Sequence, residues 1–201
     1  VEYAAPDPEL LRRLFEGMGL PAVARHRSKN VTLHRQGDIH FIINAEHDSF
    51  AQQFARAHGP CACAMAFRVA DARLAYTRAL ELGATPGPVT AGPMELNIPS
   101  IVGIGGSLIY LVDRYGERTI YDVDFVPVKT SSPPAPVGLI RIDHLTHNVK
   151  RGNMNVWAGF YEKLFNFREI RYFSIEGKQT GLISRALTSP CGKIRIPINE
   201  S

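Results

Sequence analysis

Apolar positions along the chain switch between two periods. Short alternating stretches give way to runs in which apolar residues recur every three or four positions, and then to alternation again. The switch occurs three times: VEYAAPDPE leads into LLRRLFEGMGL, AMAFRVADA into RLAYTRALELGA, and IDHLTHNVK into NVWAGFYEKLFNF. The middle parts predict amphipathic helices. Leu10, Leu14 and Met18 form one stripe with Leu11 and Phe15 beside it, and Val156, Phe160 and Leu164 run parallel to Trp157, Tyr161 and Phe165. Gly19, Gly83 and Asn166 stand where helices commonly end in a left-handed residue. Extended segments follow each helix: KNVTLHRQ and DIHFIIN around Gly37, then SLIYLVDRY and IYDVDFV, then REIRYFSIEG, GLISRAL and GKIRIPINE.

The recurring unit is β-α-β-β-β, about 60 to 75 residues long, and the fold class it predicts is α+β. Between the second and third units lies VPVKTSSPPAPVG, which holds four of the fourteen prolines and lacks apolar periodicity. It reads as an extended linker. The expected organisation is an N-terminal domain over residues 1–125, a linker over 126–138, and a third unit over 139–201 that lacks its mate. On this reading the sequence is a fragment of a longer protein, as valine at position 1 also suggests.

Composition narrows the function classes. At 201 residues, 45% hydrophobic and 21% charged, the chain can bury a core. It contains nothing near the ~18 consecutive apolar residues of a membrane span, and its first residues do not form a secretory signal. A net charge of +4 is mild. The most basic stretch, ARHRSKNVTLHRQGDIH, carries none of the aromatics that would stack on nucleic-acid bases, and is expected to be a solvated hairpin face. Cys61, Cys63 and Cys191 lack the paired spacing of a structural zinc site, and read as buried or partly buried thiols in a reducing cytoplasm.

Candidate chemistry centres on IDHLTHNV, residues 142–149. On a helix, histidines three apart would share a face; on a strand they point to opposite sides. The segment opens the third unit, so a strand is expected over 139–149. Ile140, Ile142, His144 and Thr146 then share one face, and Arg141, Asp143, Leu145 and His147 the other. One of the two histidines can therefore serve a given ion, and His144 shares its face with the isoleucines expected to run inward. A hydrogen-bonded core histidine is the competing reading, and His147 is expected at the surface or behind a ligand. GIGGS, residues 103–107, lacks the glycine and lysine of nucleotide-binding loops and reads as a turn. Glu46, Asp113 and Asp124 form no pair that the sequence can support.

Three stretches carry a resemblance: HRSKNVTLHRQGDIHFIIN, GPMELNIPSIVGIGGSLIYLVDRYGE, and LIRIDHLTHNV with WAGFYEKLFNFREIRYFSIEGKQTGLISRALTSPCGKIRIPINE. Together they resemble the 4-hydroxyphenylpyruvate dioxygenase family, of the vicinal-oxygen-chelate group, which is built from paired β-α-β-β-β units. The resemblance implies a non-haem Fe(II) enzyme of tyrosine and phenylalanine catabolism. Such an enzyme converts 4-hydroxyphenylpyruvate, a small aromatic 2-oxo acid, and O2 to homogentisate and CO2, with one iron per chain in the complete protein. It also implies a cytoplasmic homo-oligomer, dimer or tetramer, with neither nucleic acid nor membrane as a partner. Carried over residue by residue, His144 becomes the first ligand of a two-histidine, one-carboxylate triad. Ser184 and Asn199 become substrate-facing catalytic residues, and Thr146 and Pro197 pocket-lining ones. The second histidine and the glutamate belong to a fourth unit, so this fragment alone is expected to hold iron weakly and to be inactive. Aligning AMAF with HLTH sets Ala64 opposite His144, which leaves the N-terminal pair as a scaffold without metal. The alternatives are 4-hydroxymandelate synthase and a non-catalytic binding or resistance protein of the same fold.

Overall fold

The structure, a computed structural model, describes the chain apart from Thr90, residues 130–134, Pro136, residues 177–180, Ser201, and the side chains of Ile175 and Glu176. The first unit is β1 (Glu2–Ala4), α1 (Pro8–Gly17), β2 (Ala22–His26), β3 (Val31–Gln36) and β4 (Ile39–Asn44). After α2 (Phe50–His58), the second unit is β5 (Cys61–Arg68), α3 (Ala72–Glu81), β6 (Ser100–Val102), β7 (Leu108–Val112) and, past the short helix α4 (Tyr121–Asp124), β8 (Phe125–Pro127). The third is β9 (His147–Val149), α5 (Met154–Phe165), β10 (Arg168–Glu176), β11 (Gly181–Thr188) and β12 (Arg195–Glu200). The repeat expected from the sequence is thus present three times, with α2 and α4 added to it. Part of IYDVDFV, expected as strand, is the helical turn α4. Among the described residues no helix is long and apolar enough to cross a membrane.

Local signals account for the boundaries. Asp7 accepts a hydrogen bond from the Glu9 N–H at 3.1 Å, and Pro8 occupies the first turn of α1, where its missing N–H costs nothing. Helix α3 begins on two carboxylates: Asp71 accepts from the Leu74 N–H at 2.7 Å and Asp113 from the Ala72 N–H at 3.0 Å. At the end of α5, Asn166 adopts φ 55°, the left-handed turn expected there. Gly37, at φ 55°, makes the tight β3–β4 turn.

The chain divides into two compact units, Val1–Leu80 with Thr85–Arg141, and Ile142–Ser201 with Glu81–Ala84. The first holds one eight-stranded sheet in the order β6-β7-β5-β1-β4-β3-β2-β8. Its two halves join where β1 runs antiparallel to β5, and again where β8 runs antiparallel to β2. Because β8 reaches Pro127, the stretch expected to be linker from Val126 still begins in the sheet; most of its remainder lies outside the described residues. The second unit holds a four-stranded sheet, β10-β11-β12-β9, with β9 parallel to β12, just as β1 is parallel to β4. Its core joins Tyr161 and Ala158 of α5 to Leu187, Ile196 and Ile198 of the sheet, all fully buried.

Several expectations about faces are corrected. Helix α1 buries Leu11 and Phe15, while Leu10 and Leu14 are 47% and 53% exposed. In α5 the buried residues are Met154, Ala158, Tyr161 and Leu164, and Val156 is exposed. The basic stretch is not simply a solvated face. His34 is fully buried, with Nδ1 2.9 Å from the Leu20 carbonyl and its ring edge-on to Phe15. His40 packs edge-on to Tyr121, and burial pushes its pKa down to about 4. Lys29 pairs with Glu95 at 2.6 Å. Of the cysteines, Cys63 is buried and Cys61 partly so, but Cys191 is exposed. The GIGGS turn is as expected, a tight 3-10 turn between β6 and β7.

Candidate active site

Cross-strand register assigns the faces of the second unit's sheet. Directly opposed residues lie on the same face. Leu187 opposes Ile196, Arg185 opposes Ile198, and Ile198 opposes His147. This face meets α5: Arg185 donates to Asn155 at 2.9 Å, and Glu200 accepts the Met154 N–H at 2.9 Å. The other face is set by the alternate pairs, Phe173 with Ser184, Ser184 with Asn199, Asn199 with Asn148, and Ala186 with Pro197. Ser184, Asn199 and Pro197, singled out from the sequence, therefore share the face turned away from the helix. Ser184 is 9% exposed, and Asn199 donates from Nδ2 to Asn148 Oδ1 at 3.2 Å.

Residues 139–146 depart from expectation. The regular strand begins only at His147, and Ile140, expected to point inward, is 72% exposed. Alternation nevertheless runs back from β9: Leu145, His147 and Val149 are half-buried, while Thr146 and Asn148 are exposed. Thr146 thus lies on the side of Asn148. The face expected to be interior is the open one. His147 packs behind the sheet against α5, with Nε2 3.4 Å from the Tyr161 hydroxyl, and burial lowers its pKa to about 4. It is a structural residue, not a surface one.

His144 is half exposed. Its Nδ1 lies 2.8 Å from Asp143 Oδ2, and the other oxygen of that carboxylate accepts from Arg195 Nη1 at 2.5 Å. A carboxylate at Nδ1 fixes the proton there and leaves the Nε2 lone pair outward, the form in which imidazole binds metals. His144 therefore fits one ligand position. A whole site is another matter: among the described residues no group of three or more His, Cys, Asp or Glu could hold a metal ion. Asn148, Asp143 and Arg195 were not found from the sequence. Strand alternation applied one step beyond Thr146 would have reached Asn148; the other two required the fold.

The first unit contains a cavity of about 170 Å³ lined by Ile42, Met65 and Tyr110 among others. Ala64, set opposite His144 by the sequence alignment of the two units, is among the residues that line it. A metal ligand is thus missing from that position of the N-terminal unit.

Comparison with known proteins now bears on this arrangement. The profile of the family described as "Hydroxyphenylpyruvate dioxygenase, HPPD, N-terminal" matches residues 1–126. The chain belongs to the hydroxyphenylpyruvate dioxygenase family. Over its whole length it is 59% identical to the hemolysin VllY of Vibrio vulnificus, covering 58% of that protein. It is likewise 59% identical to the 4-hydroxyphenylpyruvate dioxygenase of Pseudomonas aeruginosa, covering 57% of it. The solved structure of a xylose isomerase-like TIM barrel/4-hydroxyphenylpyruvate dioxygenase fusion protein superposes on the entire chain with a TM-score of 0.83 at 37% identity, over 31% of that chain. This member of the hydroxyphenylpyruvate dioxygenase family therefore spans little more than half the length of these two curated relatives, and its glyoxalase-like fold is that of the vicinal-oxygen-chelate group.

Proposed function

We propose that the protein containing this chain is a non-haem Fe(II) dioxygenase that converts 4-hydroxyphenylpyruvate and O2 to homogentisate and CO2. The observation that carries the proposal is the gathering of Ser184, Asn199 and Pro197 on one sheet face, with Thr146 and the oriented imidazole of His144 on the segment that leads into the adjoining strand β9, in a member of this family. In this reading residues 1–125 are a scaffold without metal, 126–138 a linker, and 139–201 the first half of the catalytic domain. His144 supplies one iron ligand. The second histidine and a carboxylate come from the part of the protein that corresponds to the rest of the relatives' length.

Bound iron supplies the capacity to chelate the 2-oxo acid and to activate dioxygen. The chain's own residues do the positioning. Ser184 and Asn199, opposite one another on β11 and β12, hydrogen-bond around the ring hydroxyl and restrict the ring to one pose. Pro197 and Thr146 form the adjoining wall. The half-sheet, completed by the remaining unit, excludes water from the pocket. The protein acts in the cytoplasm in tyrosine and phenylalanine catabolism, as a dimer or tetramer, without a nucleic-acid or membrane partner.

Product analysis tests this. Full-length protein supplied with Fe(II), 4-hydroxyphenylpyruvate and O2 should release homogentisate, and His144→Ala should abolish oxygen uptake. Hydroxymandelate as the product would replace the proposed reaction with that of the sister enzyme. Near-normal oxygen uptake by His144→Ala would overturn the ligand assignment.

A further inference from the structure

We propose that Arg195 is a positioning residue for His144, holding the segment that carries the imidazole through one ion pair and one backbone hydrogen bond. The inference rests on His144 as a metal ligand and adds what keeps it in place. Strand β9 pairs with β12 in parallel, Ile198 beside His147, so Leu145 falls beside Ile196. In a parallel ladder, Leu145 would give its N–H to the carbonyl of residue 195 and receive at its own carbonyl the N–H of residue 197. The first bond is made: the Leu145 N–H donates to the Arg195 carbonyl at 3.2 Å. The second cannot be, because residue 197 is proline and has no N–H. The ladder is therefore weakened just where the His144 segment joins the sheet, and regular strand geometry starts two residues later.

Arg195 takes up the slack. Its carbonyl holds Leu145 on one side of His144. Its guanidinium donates from Nη1 to Asp143 Oδ1 at 2.5 Å on the other side. The second oxygen of Asp143 then lies 2.8 Å from His144 Nδ1. One arginine thus grips both neighbours of His144, and through Asp143 it sets the ring's tautomer and direction. Arg195 and Asp143 are 43% and 54% exposed, so their ion pair contributes little to stability. Its effect falls on ligand geometry, where the partners of a metal-bound histidine typically matter 10- to 100-fold in affinity.

The test is Co(II) binding by the full-length protein, titrated anaerobically and read from the visible absorption of the bound ion. Arg195→Gln and Asp143→Asn should each weaken binding about 10- to 100-fold, while the melting temperature stays close to that of the wild type. The double variant should be no worse than Asp143→Asn alone, since the Arg195 side chain reaches the ring only through Asp143, and Arg195→Lys should restore part of the loss of Arg195→Gln. Asp143→Asn leaves β12 untouched, so it breaks the Arg195 ion pair, together with the carboxylate contact at Nδ1, even if Arg195→Gln disturbs the sheet. Affinity within twofold of wild type in both single variants, or losses that simply add in the double variant, would overturn the proposal. Should the wild type itself fail to bind Co(II), or bind it equally well as His144→Ala, the reading of His144 as a ligand would fall first, and the role of Arg195 with it.

Discussion

His147 offers the sharpest test of how the second unit is built. The side chain sits between the sheet and α5 and meets the Tyr161 hydroxyl, and burial drives its pKa from 6.5 to about 4. The unfolded chain takes up a proton there as pH falls through about 6.5, whereas the folded chain resists until about 4. Protons therefore favour unfolding across this window. The stability that comes from keeping His147 neutral is complete above pH 6.5 and is lost progressively toward pH 4. Between pH 7 and pH 5 the loss from this one group amounts to about 2 kcal/mol. Trp157 is the only tryptophan in the chain and lies on α5, so its fluorescence reports on this unit. Urea unfolding followed at Trp157 should show the wild type losing about 2 kcal/mol more between pH 7 and pH 5 than His147→Gln, which cannot titrate. Other titrating groups contribute equally to both proteins and cancel in the difference. Parallel pH profiles for the two would refute the burial argument and return His147 to the surface.

Two further outcomes follow from packing and exposure. Ile198→Ala removes a fully buried side chain beneath α5 and should cost about 2 to 5 kcal/mol in the Trp157 transition, whereas Val156→Ala, 63% exposed on the same helix, should change it by less than about 0.5 kcal/mol. A thiol reagent at neutral pH should modify Cys191 first, because it is exposed and its pKa is lowered by the Ser189 hydroxyl and the Lys193 backbone; Cys63, buried with its pKa pushed up, should react only on unfolding, as mass spectrometry after timed quenching would show.

The repeat was legible because a change of period is a property of the chain itself, and the capping residues Asp7 and Asn166 act within a few positions of where they stand. Which stripe of α1 is buried was not. Leu10 with Leu14, and Leu11 with Phe15, have the same spacing and lie about 100° apart around the helix, so only the sheet beneath decides between them. Helix α2 leaves little trace in the apolar pattern because two of its buried positions are Ala51 and Ala55, whose small side chains give a weak apolar signal. The strand through His144 was over-extended for a similar reason. Alternation persists in the sequence, but the ladder that would make it a strand is interrupted by Pro197, fifty-three positions further on, and only the register shows that the two meet. Ser184, Asn199 and Pro197 came from family resemblance rather than from any pattern in the residues; what the structure adds is that they share one face. Asp143 and Arg195 were out of reach, since their pairing joins residues fifty-two positions apart.

The proposed chemistry requires His144 to be a metal ligand. A structure of the full-length protein loaded with Fe(II), with the metal located by its anomalous scattering, would examine this directly. The expected result is one iron per chain over the sheet face of Ser184 and Asn199, bonded to His144 through Nε2 with Nδ1 still on Asp143. An iron held elsewhere, with the His144 ring turned to solvent, would contradict it.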